Sequence, residues 1–446
     1  MRFESIVVGG GLCGTLAAQH LSQAGKSVLL LEAGPTEKRE LPGDVAGFLR
    51  TTRELTKVDP ARWAFAGPRG YDWHRVRALG GRTLLWGGWM MRATPDYFAA
   101  REKLDAAWPA EMTKLASWVK LAEKRLAVKK GKRGVLHRHL KQLGFDTLVK
   151  HEAVQPGTRR MMTALDLRPE HVQEATVLSF EQKDGVVVVH LEGGTTLETK
   201  QLLLAASPIE TARIIAASRN TGKRTRLSYA DHLIAGVIGI TERRPDMGHP
   251  LDGADPSAVV APAAKAKHRM TIEVRGPTPL EHLDPDDVKA LGFTEVTAKN
   301  HSFYVVFAMG ETDPHLPRQC VLDPAKTDSL GRPQPRFVKR KHTAWERSLG
   351  TQMNRTCIRI GKSLVGKKGP WYQIYDALDY GSGGHEVGTC ANEVGPDGAL
   401  RDFPSVFLAD GSGVPAATDR HPSLTLAANA LRVADAALRS RAYQAH

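Results

Sequence analysis

Two histidines late in the chain, His385 and His421, lie in segments that could position a reactive side chain. His385 lies between two glycines and a Gly-Thr-Cys segment in GGHEVGTC, and His421 precedes a proline in DRHPSLT. An imidazole has an ordinary pKa of about 6.5, so it can accept a proton near neutral pH. A zinc site is disfavoured because His385 and Cys390 lack further ligands at the usual spacing, and a serine hydrolase is disfavoured because G-x-S-x-G is missing. The spacing alone leaves an ordinary structural role open for both histidines.

The elements that could build a site begin with residues 5–35. This segment predicts an apolar strand, a glycine turn, an amphipathic helix and a second apolar strand. Gly9, Gly11 and Gly14 form G-x-G-x-x-G, which allows a tight turn, close approach to a pyrophosphate and close packing of helix and strand. Glu32 follows Gly14 by 18 residues, where an acid binds a ribose diol. The unit predicts binding of FAD or NAD, and the acid disfavours NADP.

Two later segments have patterns that could complete the same ligand-binding sheet. Residues 196–218 predict a strand, a small-residue turn and a helix, and residues 402–438 predict a strand, a polar loop and a long helix. Asp410 follows the apolar run VFLA, so it would lie at the carboxyl end of a strand, where such sheets bind ligands. A ligand held by both halves of the chain favours FAD, a large and permanently held cofactor.

These segments, and the order in which they follow one another along the chain, resemble the glucose–methanol–choline (GMC) family of FAD-dependent alcohol oxidases and dehydrogenases. LGGRTLLWGGWMMRATPDYF, residues 79–98, is similar to the family's second signature, and HEVGTC, VFLADGS and HPSLT are similar to its catalytic end. Residues 321–337 are similar to a segment of the sugar or pyranose oxidase branch. The resemblance implies an α/β fold, in which a Rossmann-like FAD-binding domain joins a substrate domain built on an antiparallel sheet, as in p-hydroxybenzoate-hydroxylase-like architectures.

The resemblance also implies roles for individual residues. It places His385 at the position of the base, and His421 at a second catalytic position that would orient the substrate oxygen and stabilise the alkoxide. Leu85 stands where some members attach the flavin through a histidine, which implies non-covalent FAD. No metal is implied. Besides the G-x-G-x-x-G glycines and Glu32, the implied cofactor-binding residues are Gly80, Gly81, Trp86, Gly87, Val177, Asp410, Gly411, Leu424 and Thr425.

The same resemblance predicts two domains. The FAD-binding domain is expected to be discontinuous, comprising residues 1–235 plus 380–446, with a helical insertion at about 101–150, and the substrate domain is expected at 236–379. The runs HLIAGVIGI, HRMTIEVRG, SFYVVFAMG and RQCVLD predict an antiparallel sheet over the flavin. Residues 243–267, which are rich in Pro, Gly and Ala, predict a long loop that is either a lid or a plain surface loop.

The composition limits the location and the partners. The 446 residues carry a formal net charge of +14, and residues 120–142 contain nine Lys/Arg against one Glu. This segment lacks interleaved aromatic residues, so a solvated helical face is favoured over nucleic-acid binding, while an acidic carrier or partner protein and steering of an anionic ligand stay open. No apolar run is long enough to span a membrane. The opening strand pattern MRFESIVVGGG and four widely separated cysteines predict a cytoplasmic protein.

The sequence therefore favours FAD-dependent oxidation of an alcohol to a carbonyl, with hydride transfer to flavin N5 and a histidine base. The expected substrate is a sugar, a glycoside or a hydroxylated secondary metabolite, and the electron acceptor is oxygen or another molecule. Two alternatives stay open: lyase or decarboxylase chemistry on the same fold, and a flavin-binding protein without catalysis.

Overall fold

The structure of the chain is a computed structural model. It describes residues 3–36, 63–68, 71, 73–92, 114–158, 160–167, 169–242, 258–260, 269–283, 285–313, 316–366, 369–379, 384–415 and 419–440.

Within these residues the helices are α1 (Leu12–Gln23), α2 (Ala116–Arg125), α3 (Val135–Gln142), α4 (Pro208–Arg219), α5 (Pro285–Ala290), α6 (Glu295–Ala298), α7 (Ala344–Val365) and α8 (Ser423–Arg439). The strands are β1 (Phe3–Val8), β2 (Val28–Glu32), β3 (Val128–Lys130), β4 (Thr147–Leu148), β5 (His151–Ala153), β6 (Val172–Glu174), β7 (Val177–Lys183), β8 (Val186–Leu191), β9 (Thr196–Leu204), β10 (Thr225–Tyr229), β11 (His232–Glu242), β12 (Ala258–Val260), β13 (Met270–Pro279), β14 (His301–Glu311), β15 (Arg318–Thr327), β16 (Pro333–Val338), β17 (Trp371–Tyr375) and β18 (Val406–Leu408).

A seven-stranded central sheet has the order β6-β2-β1-β9-β8-β7, and β18 also pairs with β9. The pairs of β1 with β2 and β9, of β2 with β6, and of β9 with β18 are parallel. Strands β7, β8 and β9 form an antiparallel meander. Every residue of β2 is buried, as expected of a parallel strand that is covered on both faces.

Neighbouring residues of a strand point to opposite faces of the sheet. Both faces of the central sheet are apolar, and helices cover each of them. Val7 and Leu30 belong to a core shared with α1 and α8, which includes Val433. Ile6 belongs to the core on the other face, which includes Ile215 of α4. The continuous apolar runs of β1 and β2 are therefore explained by burial on two sides, and the predicted α/β fold class is confirmed.

A second, antiparallel sheet has the order β17-β11-β14-β13-β12-β4. One face packs against α7, whose Met353 shares a core with Val306 of β14 and Val274 of β13. The alternate residues Phe307 of β14 and Glu273 of β13 line a cavity on the opposite face. This sheet thus separates a core from a cavity, and α7 supplies the layer that covers the core.

The prediction of one sheet from four strand-like runs was wrong for residues 318–323. They belong to β15, which pairs with β10 and β16 in a separate three-stranded antiparallel sheet. Asp328 accepts hydrogen bonds from the backbone N–H groups of Leu330 (3.0 Å) and Arg332 (3.1 Å) in the turn that follows β15. This turn closes a hairpin, so β15 pairs with the strand that comes next in the chain.

A buried ionic cluster connects the hairpin to α4. Glu210 of α4 contacts Arg77 (2.8 Å), Arg213 (3.0 Å) and Arg332 (3.5 Å), and Arg213 also contacts Asp328 (2.7 Å). Although burial favours the neutral acid, the surrounding arginines hold the pKa of Glu210 well below its ordinary value. The cluster therefore stays ionised and links the three-stranded sheet to the central sheet.

The predicted helical insertion of about 101–150 is described from residue 114 onward, and it contains α2 and α3 with the short strands β3 and β4. The predicted loop 243–267 lies outside the described residues except for β12. The limits of the two domains stay a prediction. Among the helices described, none combines the length and the apolar character that crossing a membrane requires.

Candidate active site

The G-x-G-x-x-G turn joins β1 to α1 at one end of a cavity of about 880 Å³. A Cβ atom on Gly14 would lie 1.9 Å from the carbonyl oxygen of Gly9, so helix and strand can pack this closely only with glycine. Gly9 has a φ of +103°, which glycine adopts without strain. At Gly11 the nearest atom to such a Cβ would be 4.0 Å away, so open space lies before the helix. The first turn of α1 carries no side-chain cap, and its N–H groups are available to a phosphate.

Glu32 lies at the end of β2, next to this turn, and lines the cavity. Its carboxylate accepts hydrogen bonds from the backbone N–H groups of Gly10 (2.7 Å) and Gly34 (3.0 Å). Burial raises the pKa of Glu32, while the N–H groups of Gly10 and Gly34 oppose the rise. The acid is therefore fixed beside the glycine turn, where it can accept a hydrogen bond from a ribose hydroxyl.

The second glycine segment lies directly against the first. A Cβ on Gly81 would be 2.9 Å from the Cα of Gly11, and Gly81, Trp86 and Gly87 line the cavity. The Trp86 indole N–H donates to the carbonyl of Met162 (2.9 Å), which fixes the ring. Gly80 lies behind the cavity wall, where a Cβ would meet Leu84. Three of the four predicted residues in this segment therefore face the cavity.

The segment around Asp410 forms another wall. The carboxylate of Asp410 accepts hydrogen bonds from the Thr211 hydroxyl (2.7 Å) and the Ser412 N–H (2.9 Å), and burial raises its pKa. Asp410, Gly411 and Val177 line the cavity. Leu424 and Thr425 are buried and do not line it, whereas the neighbouring residues Ser423 and Leu426 do.

His385 and His421 both line the same cavity. Their ring centroids are 5.2 Å apart and the rings are nearly perpendicular. The His385 loop is held by hydrogen bonds between the backbones of Ala230 and Val387 (2.9 Å) and by Gly388 N–H donation to Gly411 (2.8 Å). His421 lies two residues before α8. The structure therefore brings together the two histidines that the sequence singled out.

A third imidazole, His232 of β11, lies against His385 with a centroid separation of 5.0 Å. Burial lowers the pKa of His232 to about 3, with a further contribution from His421. Burial, then His232, His421 and Arg82, hold the pKa of His385 well below its ordinary value. His385 is therefore neutral at pH 7, so one of its ring nitrogens can accept a proton. No functional role could be predicted for His232 from the sequence, because this residue begins an apolar strand and has the pattern of an ordinary core position.

Glu273 of β13 forms a hydrogen bond with His421 Nε2 and accepts another from Arg275 at 2.9 Å. Its side chain is only 1% exposed. Burial alone would favour the neutral acid, but His421 and Arg275 hold the pKa of Glu273 below its ordinary value. This carboxylate, which the sequence analysis also missed, is the group that fixes the His421 ring.

Replacing Glu273 by glutamine is expected to destabilise the fold by about 1.5–3 kcal/mol at pH 7, because His421 and Arg275 lose a charged hydrogen-bond partner. A carboxyl group with a lowered pKa contributes stability above its unfolded pKa, about 4.3 for Glu, and loses it as the pH falls through the folded value. Urea unfolding from pH 7 downward should show the wild type and Glu273→Gln converging in acid. A constant difference at every pH would contradict this electrostatic role.

Arg82 fixes the backbone next to His385. Its guanidinium donates to the carbonyl of Gly384 and forms an ion pair with Glu386 at 2.8 Å. The Glu386 side chain is completely buried, whereas Arg82 is partly open to the cavity. Residues 384 and 386 flank His385, so this one guanidinium restrains the loop on both sides of the imidazole.

An Arg82→Met variant is expected to lose about 1–3 kcal/mol of unfolding free energy, because Glu386 is left as a buried carboxylate without its cation. The matched control is Arg92→Met, whose arginine is 54% exposed and pairs with Glu123. Removal of such an exposed pair should cost only about 0–1 kcal/mol. Chemical denaturation of the two variants measures the difference, and equal losses would refute the proposed restraint.

The described residues fit a dinucleotide such as FAD. Open glycine backbone, uncapped helix N–H groups, a buried acid and two imidazoles all lie around the same cavity. The acid suits a ribose, and the glycine turn suits a pyrophosphate. A second ring system could then lie in the part of the cavity that His385 and His421 line.

Comparison with known proteins agrees with this architecture. A model described as an NAD(P)-binding Rossmann-like domain matches residues 7–36. Paromamine 6'-oxidase of Streptomyces fradiae is 30% identical over 138 residues, which are 30% of this chain and 24% of that protein. The (R)-mandelonitrile lyase-like protein of Arabidopsis thaliana is 31% identical over 96 residues, 22% of this chain and 17% of that protein. The matches thus span about a quarter or less of these curated relatives.

A similarity in fold extends over the whole chain. The crystal structure of pyridoxine 4-oxidase from Mesorbium loti matches with a TM-score of 0.66 and 14% identity, and the match covers 100% of both chains. The order of the motifs, the two sheets and these relatives agree with one another. The chain therefore has the fold of pyridoxine 4-oxidase, and limited parts of it are similar to paromamine 6'-oxidase and to the mandelonitrile lyase-like protein.

Proposed function

We propose that the protein oxidises an alcohol to a carbonyl compound with FAD as the cofactor. The observation that carries the proposal is that two adjacent imidazoles line the same cavity as the G-x-G-x-x-G turn. The similar proteins paromamine 6'-oxidase and pyridoxine 4-oxidase support the same class of reaction.

The chain offers a set of residues to hold FAD. Gly9, Gly11 and the start of α1 would bind the pyrophosphate, and Glu32 would bind the ribose. Leu85 lines the cavity and cannot form a covalent bond to the flavin, which supports non-covalent binding. When bound, FAD would supply the hydride acceptor for the carbinol C–H bond.

The imidazoles would handle the oxygen side of the substrate. His385, neutral at pH 7, would accept the hydroxyl proton, and its burial keeps it ready to do so. His421 would orient the same oxygen, because Glu273 fixes its ring. Together they would stabilise the negative charge that develops on the substrate oxygen as the C–H bond breaks.

A second candidate is lyase chemistry on the same cofactor-binding fold, which the mandelonitrile lyase-like relative favours. A lyase cleaves its substrate without net transfer of electrons, so the flavin would keep its oxidised spectrum. Alcohol oxidation would instead reduce the flavin stoichiometrically. The two candidates therefore differ in a directly visible signal.

The test is anaerobic mixing of the purified, yellow protein with a panel of sugars, glycosides, amino sugars and aryl alcohols, followed at the flavin absorbance near 450 nm. Bleaching by at least one alcohol, with one carbonyl product per flavin, is the expected result. Admission of air then reveals whether oxygen or another acceptor restores the colour. A colourless protein, or a flavin that no alcohol bleaches, would overturn the proposal.

A further inference from the structure

The part of the cavity next to the two histidines has an apolar wall. The second sheet and its neighbours contribute side chains that are almost all apolar or aromatic, namely Ile234, Leu283, Phe303, Val305, Phe307 and Tyr375. Trp89 adds a further ring, 6.0 Å from His421. A wall of this kind favours a substrate with an apolar body, because burying apolar surface is the main gain on binding.

Arg275 is a cation on this wall, beside the carboxylate of Glu273. Its guanidinium lies 4.6 Å from the Trp89 ring centroid and against Gly87, where a Cβ would be 2.9 Å from the guanidinium nitrogens. One N–H donates to Glu273. A guanidinium has five N–H donors in a rigid plane, and the Arg275 side chain is 31% exposed, so donors beyond the one bound to Glu273 can reach a ligand.

The carboxylates that line the cavity within the described residues are already matched. Glu273 contacts Arg275 and His421, Glu386 contacts Arg82, and Glu210 lies among arginines. Glu32 and Asp410 are bound by N–H and hydroxyl donors. Each of these carboxylates thus has a cation or hydrogen-bond donors beside it, although Glu386 Oε1 itself accepts no hydrogen bond from the residues that the structure describes. The lining therefore favours an anionic group at Arg275 over an ammonium group.

We propose that Arg275 selects an alcohol with an apolar body and a carboxylate group, rather than a cationic amino sugar. This inference rests on the proposed alcohol oxidation. The carboxylate would form charge-assisted hydrogen bonds with the guanidinium, while the carbinol lies at His385 and His421. The net charge of +14 would attract such an anion towards the protein.

The test compares four alcohols that share one ring: benzyl alcohol, 3- and 4-(hydroxymethyl)benzoate, and 4-(aminomethyl)benzyl alcohol. A charged hydrogen bond predicts a kcat/KM for the better benzoate that is about 10–100 times that of benzyl alcohol. The aminomethyl compound should be poorer than benzyl alcohol. Equal values for the neutral and the carboxylate alcohols would overturn the inference.

In Arg275→Gln the ratio of the two kcat/KM values should fall to about one, and Arg275→Lys should keep part of it. The ratio is decisive because any effect on Glu273 and His421 slows both alcohols alike. Arg92→Gln removes the same charge from an exposed side chain that does not line the cavity, and it controls for general attraction of anions. An unchanged ratio in Arg275→Gln, or an equal change in Arg92→Gln, would refute the role of Arg275.

A second measurement does not depend on turnover. Calorimetry of the flavin-loaded protein should show that the non-oxidisable 4-methylbenzoate binds about tenfold more weakly to Arg275→Gln, while 4-methylbenzamide is unaffected. If no alcohol bleaches the flavin, the proposed oxidation fails, and this binding experiment still decides the inference. Equal binding of 4-methylbenzoate to both proteins would contradict it.

Discussion

Replacing His385 by alanine is expected to slow reduction of the bound flavin by alcohol about 10²–10⁴-fold, the usual contribution of a positioned base. His385 is a half-buried imidazole whose pKa is held well below its ordinary value, so its loss removes a neutral acceptor for the hydroxyl proton. Its side chain lies in a loop between cavity-lining residues, and the glycine turn that would bind the pyrophosphate is remote from it in sequence. The variant should therefore stay yellow, and anaerobic stopped-flow spectroscopy measures the rate.

The matched control is His190→Ala, which removes an imidazole from β8 that does not line the cavity. This variant should reduce its flavin at the wild-type rate. A His385→Ala protein that keeps both its flavin and its rate would show that another group removes the proton. A protein that loses its flavin would show that His385 acts in binding.

The lowered pKa of His385 also predicts a pH profile. A base whose pKa lies well below 6.5 is already unprotonated at neutral pH, and it gains a proton only in acid. The value of kcat/KM should therefore be flat through neutral pH and fall only well below pH 6.5. A limb with a midpoint near or above 6.5 would contradict the assignment of His385 as the base.

A Gly14→Ala variant is expected to lose cofactor binding almost completely. Its Cβ would lie 1.9 Å from the Gly9 carbonyl oxygen, so α1 must move away from β1. The overpacked contact should destabilise the fold by about 1–3 kcal/mol, and the shifted helix no longer presents its N–H groups at the turn. The flavin content after purification and the calorimetric unfolding temperature measure the two effects.

Gly134→Ala makes the same chemical change at a position where no atom lies within 4 Å of the new Cβ. The Gly134 φ of −133° is open to any residue. This control should keep its flavin and nearly all its stability. If Gly14→Ala behaves like the control, the close contact of helix and strand does not hold the cofactor site in place.

The parts of the fold that could be predicted are those that local chemistry determines. The G-x-G-x-x-G pattern could be recognised because the close contact that requires it joins Gly9 and Gly14, which are only five residues apart. The role of Glu32 could be predicted because one helix and one strand fix its distance from the glycine turn. Apolar runs with a turn at each end identified β11, β13 and β14 as well. The pairing partner of residues 318–323 was wrong because apolar content identifies a strand without naming its neighbour.

The groups around the two histidines could not be predicted, because they meet only in the folded chain. Glu273 and His421 are 148 residues apart, and Arg82 and Glu386 are 304 residues apart. In β13 the alternation of Ile272, Glu273 and Val274 places the acid on the face opposite the core, which in most sheets is solvent. Only the arrangement of the two sheets turns that face into a cavity wall.

The packing of α8 on α1, and of β18 beside β9, has a consequence for biosynthesis. At a translation rate of 5–20 residues per second, roughly 20–80 s separate the end of α1 from the start of α8. During that interval the apolar side of α1 that includes Leu21 lacks α8, the helix that packs against it in the folded chain. We therefore expect the chain to acquire its prosthetic group only after the ribosome has completed α8.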